Sequence, residues 1–295
     1  MTETTAIETT APDMPVTGAS ARPRSRKRPE IELSTAIIAA AIVVIIARVF
    51  LVQPFLIPSA SMQPTLYEGD YVIVSTMSYG LSRHSIPFSP PLFNGRIFNR
   101  VPDRGDIVVF KLPREAATTR VDYIKRLIGL PGDRIQLKRG QLYINDVPVI
   151  RKPAPNGVED DGGVALPVTR YWETLPGGRA ILTNSYGDDS PAETTGVYVV
   201  PQHCYFVMGD NRDNSLDSRF DPAMPAGPPR SATCPWDASL DKFIPDDAGV
   251  GYVPEEDLVG KAQLVLFSTK PGASLLNPKS WASSFRSDRA FLWLK

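Results

Sequence analysis

Histidine and cysteine are nearly missing from this chain, two of each in 295 residues: His84 and His203, Cys204 and Cys234. Two cysteines cannot build a tetrahedral thiolate cluster and the histidines do not form an H-E-x-x-H pair, so no metal site and no cofactor are expected. Cys204 and Cys234 either bridge, if the folded part lies outside the cytoplasm, or stand as a buried strand thiol and an unrelated exposed one; the spacing leaves both open. An excess of charge of one sign is also missing. The 32 Lys and Arg match the 32 Asp and Glu, so no nucleic-acid partner is expected. There is no internal repeat and only one long apolar run. The chain has prolines and glycines in plenty, 29 and 21, which interrupt helical hydrogen bonding and point to a mainly β fold of short strands and turns.

Taken in order, residues 1–30 hold almost no large apolar side chains and are expected to be a disordered tail. Arg22, Arg24, Arg26, Lys27 and Arg28 cluster there, and an apolar run from Leu33 to Leu56 follows, broken by Arg48 and Gln53. Positive charge before the run and little after it predicts a single-pass anchor, residues 31–57, with the N-terminus cytoplasmic. Residues 58–295 are then an extracytoplasmic domain on the cell membrane, with the lipid bilayer as a partner. A cleavable secretory signal is the competing reading, because the small residues Ser59-Ala60-Ser61 follow the apolar run; the length of the run and of the tail before it favours an uncleaved anchor.

From Asp70 onward short β-type runs alternate with Gly and Pro turns: Tyr71–Ser75, Asp106–Lys111, Val121–Leu130, Arg134–Leu137, Gln141–Asn145, Arg179–Thr183, Val197–Val200, Cys204–Met208 and Gln263–Ser268. They predict largely antiparallel, folded-over β-sheets. Two stretches read as insertions: residues 80–103, proline-rich yet apolar and suited either to a membrane surface or to packing on the protein, and residues 221–250, a surface excursion to which no chemistry is assigned.

A hydroxyl becomes a nucleophile when a neighbouring base takes its proton. Neither histidine has the local signature of such a base. Lys125 sits in the apolar run Val121–Ile128; on a strand, alternation places it with Val121, Tyr123 and Leu127. Apolar neighbours lower an amine's pKa toward a range where it accepts a proton, but pattern alone fits an ordinary strand lysine better. The loop Gly209–Arg219 concentrates polar side chains after an apolar strand. A calcium loop fails on spacing, since Arg212 falls at the third position counted from Asp210; an Asp217–Arg219 ion pair and a Ser215 hydrogen bond to a nearby amine are better uses of those residues, and a solvated turn is the plain alternative.

Together, Ser59-Ala60-Ser61-Met62-x-Pro64-Thr65-Leu66 after the apolar run, Tyr123-Ile124-Lys125-Arg126-x-Ile128-Gly129-Leu130-Pro131-Gly132-Asp133, and Gly209–Arg219, in that order, resemble the bacterial type I signal peptidases of the serine–lysine kind. The resemblance covers about residues 35 to 270, apart from the two insertions. It implies a membrane-bound serine endopeptidase with Ser61 as nucleophile and Lys125 as general base. Ser59 and the Ser61 N–H would form the oxyanion hole and Ser215 would orient the lysine. Asp217 with Arg219 would be a structural ion pair, and Asp210 with Arg212 a supporting loop. It also implies preprotein signal peptides as substrates, with small residues at the first and third positions before the cut, in pockets bordered by Phe55, Ile57, Met62, Leu66 and Ile124. Strand alternation makes Ile124 the weakest of these, because it puts Ile124 opposite Lys125. Some family members have two membrane spans, whereas one is readable here.

Overall fold

The computed structural model describes residues 33–50, 52–86, 89–112, 121–161, 164–187, 192–220, 249–270 and 284–294. The expected disordered tail, residues 1–30, and residues 221–248 of the second expected insertion lie outside them. The chain divides into two compact units, Met1–Ile42 and Val43–Lys295.

One helix, α1 (Leu33–Phe50), is apolar on all sides except for a few small polar residues and Arg48, and Ile37, Ile38 and Ile42 on it are exposed. Among the described residues no helix is long and apolar enough to cross a membrane. The 18 residues of α1 rise about 27 Å at 1.5 Å each, just under a hydrocarbon core of about 30 Å. The apolar run expected as one anchor over residues 31–57 is therefore two elements: the helix ends at Phe50 and β1 (Val52–Leu56) begins. The physical reason is a partner. Val52–Leu56 pairs antiparallel with Ser75–Tyr71, and Pro54, which has no N–H to give, sits on the outer strand of the sheet.

After β1 come a 3₁₀ turn (Ala60–Met62), β2 (Asp70–Ser75), the short pair β3 (Leu81–Ser82) and β4 (Arg96–Ile97), β5 (Ile107–Leu112), β6 (Val121–Gly129), β7 (Arg134–Lys138), β8 (Gln141–Ile144) and β9 (Val147–Pro148). Then follow the long strands β10 (Ile150–Asp161) and β11 (Val164–Thr174), then β12 (Ala180–Ser185), β13 (Tyr198–Val199), β14 (Cys204–Met208), β15 (Val253–Pro254), β16 (Leu258–Ser268) and β17 (Leu292–Trp293). The fold is mainly β and every strand pairing within its sheets is antiparallel. The main sheet runs β1-β2-β16-β5-β6-β14-β15, with β17 against β16; smaller sheets run β13-β7-β8-β9 and β10-β11-β12.

Strand alternation sets the layers. Ile107 and Val109 of β5 join Val72, Val74, Ile124 and Val265 in one core, on which Ile57, Met62 and Leu66 pack. Val108, Phe110 and Leu112 face the other way and join Tyr79, Leu127 and Val207. A third core lies between Phe206 and Met208 of β14 and the β7–β8 sheet. Met62 and Leu66 are fully buried, worth about 2–3 kcal/mol each, which pins the turn carrying Ser61 to the main sheet.

The first expected insertion is tied down by Arg96, which donates to the carbonyls of Tyr79, Gly80, Glu255 and Leu258. Leu92, Ile97, Phe98 and Val101 around it are exposed. Cys204 takes part in a disulfide; the chain's other cysteine, Cys234, lies outside the described residues.

Candidate active site

β14 pairs with β6 only from Arg126 to Gly129, because the chain turns away from the sheet at Gly209. β5 pairs with β6 along Val121–Arg126 on the other side. Leu127 exchanges backbone hydrogen bonds with Asp106 and Gly105 on the β5 side. By strand alternation the peptide groups of Lys125 and Tyr123 face β5 as well, and those of Ile124 and Asp122 face the edge that β14 leaves open. A cleft of about 570 Å³ runs along this edge, lined by Val121 to Lys125, by Pro58, Ser59 and Ser61, and by Asp213 to Leu216 with Phe220.

In the cleft Lys125 and Ser61 meet. Nζ donates to Oγ at 2.5 Å, and both residues are buried, 5% and 8% exposed. Burial lowers the lysine pKa from 10.5 to about 8; the Arg219 charge acts in the same direction, while Asp217 and Asp210 pull the other way. Once the amine loses its proton, the same contact can run in reverse, with the hydroxyl donating to nitrogen. Ser59 occupies the N-cap of the 3₁₀ turn, yet its hydroxyl does not cap the turn; its Oγ lies 3.3 Å from Ser61 Oγ. The first N–H groups of such a turn have no acceptor within it, so at Ser61 a backbone donor and a hydroxyl stand side by side.

The polar loop holds this arrangement from behind. Asn211 donates from its N–H to the Ser61 carbonyl (3.1 Å) and from Nδ2 to the Ala60 carbonyl (3.2 Å), clamping the turn. Asp217 accepts from Arg219 Nε at 2.8 Å and from the Gly209 N–H at 2.9 Å. Burial works to raise the Asp217 carboxyl, but the Arg219 charge and these hydrogen bonds outweigh it and hold the carboxyl below the usual carboxylate range. Gly209 is the point of closest approach: a Cβ there would stand 2.4 Å from Ser215 Oγ and 2.5 Å from the Ser61 carbonyl oxygen. Ser215 is buried in the cleft wall and its Oγ has no hydrogen-bond partner among the described residues; it does not hydrogen-bond Lys125.

Asp210 and Arg212, taken together as one supporting loop, serve two different partners. Asp210 accepts from Arg126 Nε and Nη2 at 2.8 and 2.5 Å and from Thr65 Oγ1 at 2.6 Å. Arg212 donates to Glu173 Oε2 at 2.6 Å and to the Gly209 carbonyl at 3.1 Å. Of the five expected pocket residues, Ile124 lines the cleft, although strand alternation made it the weakest of them; a cleft along a strand edge collects residues of both faces. Ile57, Met62 and Leu66 lie in the core behind it, with Phe55 packed against that core. Neither histidine is part of the site: His84 Nε2 is 3.2 Å from Asp257 and His203 Nδ1 is 3.3 Å from Glu255.

Sequence reasoning missed Arg126, Asn211 and Glu173. Arg126 had a readable signal: an always-charged side chain inside an apolar strand must find a carboxylate. Glu173, in a strand hidden by prolines and charges, had none.

The family model described as signal peptidase, peptidase S26, matches residues 30–267. Among curated proteins the chain is similar to the signal peptidase I of Rickettsia typhi, 36% identical over 266 residues that cover 84% of this chain and 88% of the relative. It is also similar to that of Rickettsia rickettsii, 36% identical over 272 residues, covering 84% and 87%. Among solved structures a signal peptidase I from Enterococcus faecalis aligns over 55% of this chain and 97% of its own, at 23% identity and a TM-score of 0.26. The match runs through the Ser61 turn, the Lys125 strand and the Gly209–Arg219 loop alike, and the chain belongs to the signal peptidase family, peptidase S26.

Proposed function

We propose that this protein is a membrane-anchored endopeptidase that removes signal peptides from exported preproteins with a Ser61–Lys125 dyad. The observation that carries the reading is the buried contact between Lys125 Nζ and Ser61 Oγ beside an open strand edge. In the reaction, neutral Lys125 takes the hydroxyl proton as Ser61 Oγ attacks the scissile carbonyl. Negative charge develops on the carbonyl oxygen, where the Ser61 N–H and the Ser59 hydroxyl can receive it; one such donor is worth about 3–4 kcal/mol of barrier. The C–N bond then breaks, Lys125 returns the proton to the leaving amine, and an ester on Ser61 remains. Lys125 next takes a proton from water, whose oxygen attacks the ester; the ester C–O bond breaks, Lys125 returns the proton to Ser61 Oγ, and the acid product leaves. Ser215, a cleft-lining residue whose buried Oγ has no hydrogen-bond partner among the described residues, is suited to orient the amine or that water.

The substrate would lie extended along the open edge of β6, pairing with the peptide groups of Asp122 and Ile124 as an added strand. The side chains before the cut would enter the cleft beside Ile124, Tyr123 and Leu216, with small residues expected at the first and third positions. The single-pass anchor, with the N-terminus cytoplasmic and the domain on the extracytoplasmic side, rests on the apolar helix α1 and the basic cluster before it. Cleavage of a preprotein in detergent tests the reading. Wild type is expected to release the mature chain with a cut after the small residues, whereas Ser61→Ala and Lys125→Met lose activity by several orders of magnitude; equal cleavage by all three would remove the dyad.

A further inference from the structure

The reaction above uses the Ser61 turn, β6 and the polar loop, but leaves the β10-β11-β12 sheet without a role. That sheet reaches the loop through Asn184, Glu173 and Ser185, whose hydroxyl donates to Asp213 at 3.0 Å. Asn184 of β12 accepts from the Arg212 N–H at 3.0 Å, and its own N–H donates to the Asp210 carbonyl at 2.9 Å. Glu173 of β11, 1% exposed, takes Arg212 in a two-pronged ion pair, Nη1–Oε1 3.2 Å and Nη2–Oε2 2.6 Å. Arg212 is itself buried, and its Nε donates to the Gly209 carbonyl at 3.1 Å. Both polar groups of Gly209 are thereby held by ion pairs, the carbonyl by Arg212–Glu173 and the N–H by Asp217–Arg219. Gly209 is also the residue wedged between the Ser61 carbonyl and Ser215.

We propose that Glu173 is a positioning residue for the Ser61–Lys125 reaction: by holding Arg212 it fixes the Gly209 peptide and, through it, the spacing between Ser61 and Ser215. The inference rests on the dyad proposed above. Without its carboxylate, the Arg212 side chain keeps among the described residues only the Gly209 carbonyl as an acceptor and is drawn toward water, so that carbonyl loses its donor. The fork of a guanidinium on a carboxylate fixes direction as well as distance. The β10-β11-β12 sheet is then the rigid backing of the catalytic loop.

The test uses the full chain in detergent and preprotein cleavage, with rates expressed per folded molecule from thermal melts. Glu173→Gln keeps the shape but not the charge, and is expected to lower kcat several-fold with KM within about twofold and the midpoint of the kcat–pH profile unmoved. Glu173→Ala is expected to cost about 10- to 100-fold in kcat, since displacements near 1 Å reach that size. The double variant Glu173→Ala with Arg212→Ala is expected to be no worse than Arg212→Ala alone, because the two residues act as one unit. Wild-type kcat in Glu173→Gln and Glu173→Ala, losses that multiply in the double variant, or losses that vanish when corrected for folded fraction would each overturn the proposal. Should Glu173→Ala not fold, Glu173→Gln alone decides: a wild-type kcat overturns it. Ser61→Ala run alongside separates the two levels, since activity there defeats the dyad itself, whereas an inactive Ser61→Ala beside a fully active Glu173→Gln defeats only the role of Glu173.

Discussion

At Lys125 the protein keeps an amine where an ammonium is disfavoured, and that has a cost in stability as well as a use in chemistry. Burial brings its pKa from 10.5 to about 8. At about 1.4 kcal/mol per unit this is roughly 3 kcal/mol against the charged form. The folded state binds the proton less tightly than the unfolded state. Below pH 8 both states are protonated and the penalty is full; between about 8 and 10.5 the unfolded chain holds more protons, so stability rises with pH across that window. Lys125→Met removes the penalty together with the hydrogen bond to Ser61. Thermal unfolding at pH 7 should therefore find the variant as stable as wild type or more so, with the difference shrinking at pH 10.5; a variant melting well below wild type at pH 7 would contradict a strained lysine.

At the level of elements, the site exists because one strand stops short. β14 leaves β6 at Arg126, the loop turns at Gly209, and the uncovered edge from Val121 to Lys125 becomes the cleft. The turn works only with glycine, since a Cβ would meet backbone on one side and Ser215 on the other. Gly209→Ala should lower kcat by about 100-fold while circular dichroism stays native, the size expected when reacting groups shift by about 1 Å; a near-wild-type rate would show that the loop has room to spare.

Much of this frame was legible in the sequence and some was not. The short strands around Tyr71–Ser75, Val121–Leu130 and Cys204–Met208 announced themselves by apolar runs between glycine turns, and the resemblance named Ser61 and Lys125. The long β10–β11 hairpin stayed hidden because Pro153, Pro155 and Pro167 break its pattern; the first two lie on the outer strand β10 and Pro167 on the part of β11 that β12 does not cover, where prolines are tolerated. Strand β1 was hidden differently, as an apolar tail continuous with α1. The partners of Asp210 and Arg212 were unreadable for a third reason: Arg126 and Glu173 lie far away in sequence, and only the fold decides which buried charge meets which.

For the molecule as a whole, the proposed anchor makes a physical demand. α1 is apolar apart from Ser34, Thr35 and Arg48, a composition that water does not favour. Full-length protein should stay with the membrane fraction through an alkaline carbonate wash, whereas recovery in the supernatant would contradict a spanning anchor. The proposed reaction depends on a buried lysine that is neutral when it works, and the pH profile of kcat/KM on a preprotein substrate, which reports the free enzyme, tests this most directly. It predicts a kcat/KM that falls about tenfold per pH unit on the acid side and rises to a plateau through a midpoint near pH 8, as one amine titrates. A kcat/KM unchanged from pH 6 to pH 9 would contradict it.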